Sequence, residues 1–164
     1  MSGRYPRAPV PAVLAVVPED GRVVLVRRAN PPRAGTWGMP GGKIDLGETL
    51  FQAAERELAE ETGLSATAVM ALPPLETLDR DVAGAVRYHY LLVPVLCRLN
   101  PQTPPLMAAS DADAAEWFDP AAIAALPAEA LAGPVLRVAR LGLSLAERLW
   151  AGDGDSLAGG AKAG

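Results

Sequence analysis

The chain contains one cysteine and one histidine in 164 residues. Cys97 therefore has no partner for an internal disulfide, and the Cys/His spacings of a zinc site cannot be written at all. Long apolar runs are missing too. Each is interrupted by proline or charge, so no stretch reads as a membrane span. Residues 1–9 carry Arg4 and Arg7, but Pro9 and Pro11 break what would be the apolar core of a signal peptide. Runs of lysine or arginine are also absent and the formal net charge is −4, which argues against a polynucleotide partner. These absences leave a cytoplasmic globular protein without a membrane partner as the expectation. Its length fits one domain with a single real core. We place a flexible N-terminus at 1–9, the folded domain at 10–150 and a disordered Gly/Ala/Asp/Ser tail at 151–164. No internal repeat is present.

What is there centres on residues 42–64, which open with a Gly-Gly loop and close on Gly63. Thr49 followed by Gln52 is a capping-box pattern, and Gly63 suits the left-handed position past a last helical turn. Between them lie good helix formers without proline or glycine. At about 100° per residue, Leu50, Phe51, Ala54 and Leu58 share the arc to be buried. Gln52, Glu55, Arg56 and Ala59 fall toward water, and Glu57, Glu60 and Glu61 share a third arc beside the apolar one. Like charges at that spacing repel. Arg56 reaches Glu60 one turn on, yet one guanidinium does not neutralise three acids. Hard divalent cations bound by oxygen would, so the pattern points to a Mg²⁺ or Mn²⁺ site. The plain alternative is a capped, solvated surface helix.

Gly42, Glu48, Arg56, Glu57, Leu58, Glu60, Glu61, Gly63 and Leu64 stand at the spacings of the Nudix box, and Trp37-Gly38-Met39-Pro40-Gly41-Gly42-Lys43 resembles the approach to it. The resemblance covers roughly residues 10–150. It implies an α/β fold, an α/β/α sandwich with a mixed sheet, and metal-dependent hydrolysis of a nucleoside diphosphate linked to another moiety. It further implies Glu57 and Glu61 as direct metal ligands, Glu60 as ligand to a further ion or a bridge through water, and a Gly41 carbonyl completing the metal shell. Arg56 would orient the carboxylates and Glu48 would support the loop. In some relatives the acid at the Glu57 position is the general base, so catalytic and ligand roles can be exchanged among Glu57, Glu60 and Glu61. Arg-Arg-Ala-Asn-Pro-Pro before the box and Arg87-Tyr88-His89-Tyr90 after it resemble bacterial ADP-ribose pyrophosphatase-like members. Pro73-Pro74 comes earlier than the proline that follows the box in those enzymes, which keeps a nucleoside triphosphate pyrophosphatase in play. A non-catalytic nucleotide sensor is the reading of a different class. A homodimer stays open.

Outside the box, Pro11 to Val17 and Arg22 to Arg28 flank the turn chemistry of Pro18-Glu19-Asp20-Gly21 and read as a hairpin. The first of these strands is almost continuously apolar, as a strand covered on both faces would be. Arg27 and Arg28 are either solvated strand-end charges or phosphate contacts. Trp37 is either core or a nucleobase stacker, and Lys43 is either exposed or a phosphate contact. Strands are expected at Ala68 to Leu72, Leu75 to Arg80, Val86 to Arg98 and Ala114 to Phe118. In the third, Val86, Tyr88, Tyr90 and Leu92 alternate with Arg87, His89, Leu91 and Val93. His89 could titrate as a base but reads first as a packed residue. Asp111, Asp113 and Glu116 form a second acidic group suited to base reading or general-base work, with Asp79 and Asp81 as rivals. Asp119-Pro120 starts a helix, and Val135 to Trp150 reads as an amphipathic terminal helix.

Overall fold

The computed structural model describes residues 4–29, 33–110 and 112–151. Along the chain run β1 (Val10–Val16), β2 (Pro18–Glu19), β3 (Arg22–Arg28), β4 (Trp37–Gly38), α1 (Leu50–Thr62), β5 (Ala66–Ala71) and β6 (Leu75–Arg80). There follow β7 (Val86–Leu99), β8 (Ala112–Phe118), α2 (Pro120–Ala125) and α3 (Val135–Trp150). Most of the expected tail, from residue 152 on, lies outside the described residues, as does Asp111.

Two sheets form. In the first, the long β7 is the central strand. It pairs in parallel with β1 (Val10↔Tyr90 to Val16↔Leu96) and antiparallel with β5 and β6 on its other edge, which makes this sheet mixed. In the second, β3 pairs antiparallel with β8 on one edge and with β2 and β4 on the other. The expected hairpin of the first two long strands is therefore corrected. β1 and β3 belong to different sheets, and the turn at Asp20-Gly21 closes only the small β2–β3 ribbon. Turn chemistry fixed the reversal. The nearly continuous apolar character of β1 did not say which strand would lie beside it.

That apolar character has a structural cause. Val13, Ala15 and Val17 join Val24, Val95 and Cys97 in a core shared with Ala53, Ala54 and Leu58 of α1. Their neighbours Val16, Val23, Leu25 and Leu96 join a second core with Ile123 of α2 and Val135, Val138 and Ala139 of α3. Because successive strand residues point to opposite faces, these central strands feed a core on each side. Helices cover both, the α/β/α arrangement expected from the box. Burial pushes the Cys97 thiol up to about 12, as befits a packed, unreactive sulfur. Asp119 caps α2 by accepting from Ala122 N at 2.7 Å, with Pro120 in the first turn. Among the described residues no helix is long and apolar enough to cross a membrane.

α3 crosses close to β1 at Gly142, where an added Cβ would overlap a Val16 methyl. Helix propensity favours alanine over glycine by about 1 kcal/mol, while overpacking a filled core costs about 1–3 kcal/mol. Val16 is fully buried and β-branched, so it cannot turn aside. The steric effect should win. We predict that Gly142→Ala lowers stability by about 1–2 kcal/mol in chemical denaturation; a variant as stable as wild type would show that the helix can move away.

Candidate active site

α1 begins and ends as its sequence specifies. Thr49 Oγ1 accepts from Gln52 N at 3.2 Å while Gln52 Oε1 accepts from Thr49 N at 2.9 Å, and Gly63 closes the helix at φ 69°. Its buried side chains are Ala53, Ala54, Leu58 and Thr62. Around the axis these bracket Glu57 and Glu61, which therefore leave the helix from its inward side. Phe51 is 38% exposed. Glu57 and Glu61 face inward, and Glu60, its side chain 51% exposed, lies at the outer edge of the acidic group, where it shares Arg56 Nη1 with Glu57. The helix meets the sheet through its small Ala53-Ala54 pair, which turns the buried stripe toward the glutamates and away from Phe51.

One guanidinium organises the outer edge of this helix. Arg56 Nε and Nη2 grip both oxygens of Glu48 at 2.8 and 2.9 Å, and Nη2 also donates to the Lys43 carbonyl at 3.1 Å. Its Nη1 donates to Glu57 Oε1 at 2.7 Å and to Glu60 Oε2 at 3.3 Å. The fork holds the Glu48 carboxyl down at about 2, with the Asp45 N–H helping. Glu57 behaves oppositely: burial raises its pKa, against the pull of Arg56. Glu61 accepts from Gly41 N at 3.0 Å.

The loop feeding this cluster runs antiparallel along β1. Ala15 N donates to the Pro40 carbonyl at 2.7 Å and Val13 N to the Gly42 carbonyl at 2.8 Å. Gly41, between them, faces the other way, toward Glu61. Side chains are excluded here. A Cβ on Gly41 would strike the Val13 carbonyl, and one on Gly42 would occupy the place of the Glu57 carboxylate.

These groups open onto a cavity of about 1030 Å³ walled by strands of both sheets and by α1 and α3. Glu57, Glu61, Gly41 and Lys43 line it, as does Arg28 at the end of β3. Arg27 does not. Strand alternation sends it out to solvent, with its guanidinium 5.9 Å from the centre of the Trp37 ring. Trp37 packs edge-on against Phe118 at 4.9 Å beside the second core, so it fills structure rather than the cavity wall. Asp113 and Glu116 on β8 are exposed and lie off the cavity. His89 also lies off the lining and pairs with Glu76 at 2.9 Å. Asp79 reaches the cavity, held below the usual carboxylate range by Arg87 at 2.6 Å. Asp81 instead accepts from the Tyr5 hydroxyl at 2.9 Å. Arg33 and Arg137 line the cavity without any local signal that singled them out. The alternation in β7 did set Tyr88 and Tyr90 on one face, and that face proves to be the cavity's.

The expected metal set is only partly assembled. No group of three Asp, Glu, His or Cys side chains among the described residues converges to hold an ion. What remains suits a hard cation in kind: carboxylate oxygens of Glu57 and Glu61 at the cavity wall, with Glu57 raised by burial that a nearby positive charge would relieve.

Glu48 gives a pH test of the Arg56 fork. Its carboxyl sits at about 2 in the fold against an ordinary 4.5, so its contribution to stability is complete above 4.5 and fades as pH falls toward 2. We predict that Glu48→Gln flattens this part of the acid-unfolding profile. Profiles that superimpose after correction for overall stability would count against the fork.

A family model for the NUDIX domain matches residues 6–138. The ADP-ribose pyrophosphatase of Methanocaldococcus jannaschii is 34% identical over 111 residues, which cover 68% of this chain and 62% of that protein. The CTP pyrophosphohydrolase of Escherichia coli is 41% identical over 59 residues, 35% of this chain and 44% of that protein. The chain thus spans less than two thirds of the length of these relatives. Among solved structures, the NUDIX domain of Shewanella oneidensis NrtR complexed with ADP ribose superposes with a TM-score of 0.62 at 28% identity, covering 87% of this chain and 90% of that one. A NUDIX hydrolase from Nitrosomonas europaea superposes with a TM-score of 0.68 at 22% identity, covering 84% and 90%. With its box folded as a capped helix and glycine loop, and the family model matched across most of its length, the chain belongs to the Nudix hydrolase family.

Proposed function

We propose that this protein hydrolyses the phosphoanhydride bond of a nucleoside diphosphate linked to a second moiety, with ADP-ribose as the leading substrate. The observation that carries the reading is the pair Glu57 and Glu61, presented from the inward side of α1 to a cavity that also holds Arg28, Lys43 and the Gly41–Gly42 backbone. The cavity, at about 1030 Å³, lies at the upper end of the usual range for small-molecule sites, about 300–1,000 Å³. That favours a substrate with a group on each side of its diphosphate.

In this reading Glu57 and Glu61 would hold a divalent cation, with the Gly41 carbonyl on the same side of the loop. The bound metal would offset the diphosphate charge and acidify the attacking water. Arg56 holds one oxygen of Glu57 and leaves the other available toward the cavity. Lys43 and Arg28 supply positive charge for the phosphate oxygens. Water oxygen bonds to phosphorus, the bridging P–O bond breaks, and the water's proton passes to a carboxylate.

A second reading has a specific support. The oxidized purine nucleoside triphosphate hydrolase of Danio rerio is 48% identical, though over 52 residues that cover only 32% of this chain. A triphosphate substrate would release pyrophosphate, whereas ADP-ribose would release AMP and ribose 5-phosphate. Assaying both with Mg²⁺ separates them. On either substrate we predict that Glu61→Gln lowers turnover on the order of a thousandfold. Retention of more than about a tenth of wild-type turnover at saturating Mg²⁺ would defeat the assignment.

A further inference from the structure

The cavity floor can be read across the first sheet. Lys43 bridges to Ala12, Ala12 pairs with Leu92, and Leu92 pairs with Leu75, so one transverse row crosses from the glycine loop to β6. Tyr90 and Tyr88 lie two and four residues back along β7 from Leu92, on the same face. With strands about 4.8 Å apart and about 3.3 Å per residue along them, Tyr90 and Tyr88 stand about 12 and 16 Å from Lys43 of the loop beside Glu57 and Glu61. A nucleoside with its diphosphate spans a gap of that order, whereas a single phosphate does not.

Several observations make this pair more than structural filling. The chain has three tyrosines, and two of them are spent here. Their rings are nearly parallel, 16° apart with centroids at 6.4 Å. Both line the cavity, and neither belongs to, or packs against, either core cluster. Guanidinium groups attend both: Arg87 lies 5.8 Å from the centre of the Tyr88 ring, and the Arg28 charge is felt at the Tyr90 hydroxyl. Arg87 is in turn fixed by Asp79. A half-buried aromatic pair in a cavity of mixed polar and apolar lining, with cations at its rim, matches a planar heteroaromatic ring. It does not match an acyl chain, which would meet charge, or a bare phosphate, which needs no ring.

We propose that Tyr88 and Tyr90 form the platform on which the nucleobase of the substrate stacks, at the end of the cavity opposite Glu57 and Glu61. The proposal deepens the nucleotide-hydrolase reading, and binding of products can be measured without turnover. The two probes are AMP, which carries a base, and ribose 5-phosphate, which does not. Calorimetry should show AMP binding weakened about 5- to 150-fold by Tyr88→Ala or Tyr90→Ala, with ribose 5-phosphate unaffected. Tyr88→Phe keeps the ring and should restore AMP binding, and Leu91→Ala, on the other face of β7, should leave it unchanged. Equal weakening of both probes, unchanged AMP binding in both alanine variants, or no AMP binding by the wild type would each overturn the platform. If AMP binding follows the tyrosines while no diphosphate is hydrolysed, the platform stands and the hydrolase reading falls. Hydrolysis that persists with AMP binding indifferent to the tyrosines gives the reverse.

Discussion

The Arg56 guanidinium is the contact on which the site depends. It joins a helix that bears several acids to the loop that precedes it, gripping Glu48 through two oxygens and the Lys43 carbonyl through a third bond. Without that grip the acids of α1 would repel one another, and the Gly41–Glu61 bond would be left to tie the loop to the helix. With it, one oxygen of Glu57 is held by Arg56 while the Gly41 N–H holds Glu61, and both carboxylates line the cavity. The glycines matter for the same reason. They let backbone lie where a carboxylate and a neighbouring strand leave no room for a side chain.

Charge is thereby divided within one cavity. Glu57 and Glu61 of α1 occupy one region, and elsewhere guanidinium groups from β3, β7 and α3 line the wall together with Asp79 and Glu76 of β6. The net charge of −4 conceals this division. Taken alone, that figure would disfavour any anionic ligand, yet Arg28, Lys43, Arg87 and Arg137 all face the same cavity. Whole-chain charge speaks to long-range attraction and solubility, whereas recognition depends on where a few side chains converge.

Much of this was legible in the residues. The caps of α1, the start of α2 at Asp119-Pro120 and the span of α3 follow from local chemistry, and the structure places them accordingly. The alternation in Val86–Leu99 correctly set Tyr88 apart from His89. Failures arose where the answer lay in another part of the chain. Pairing of β1 with β7 depends on residues some 80 positions apart. Of the roles the residues left open, Trp37 takes the packed one against Phe118 and Arg27 the solvated one at its strand end. The exposure of Phe51 was within reach of the sequence. It required counting Ala53 and Ala54, not only the large apolar residues, as the contact surface of the helix.

The parallel pairing of β1 with β7 has a consequence for biogenesis. Val10–Val16 leaves the ribosome some 80 residues ahead of its partner Tyr90–Leu96. At about 5–20 residues per second, this apolar segment waits on the order of 4–16 seconds before its partner exists. During that wait it presents an open strand edge, so β1 is the strand of the nascent chain most open to wrong pairing.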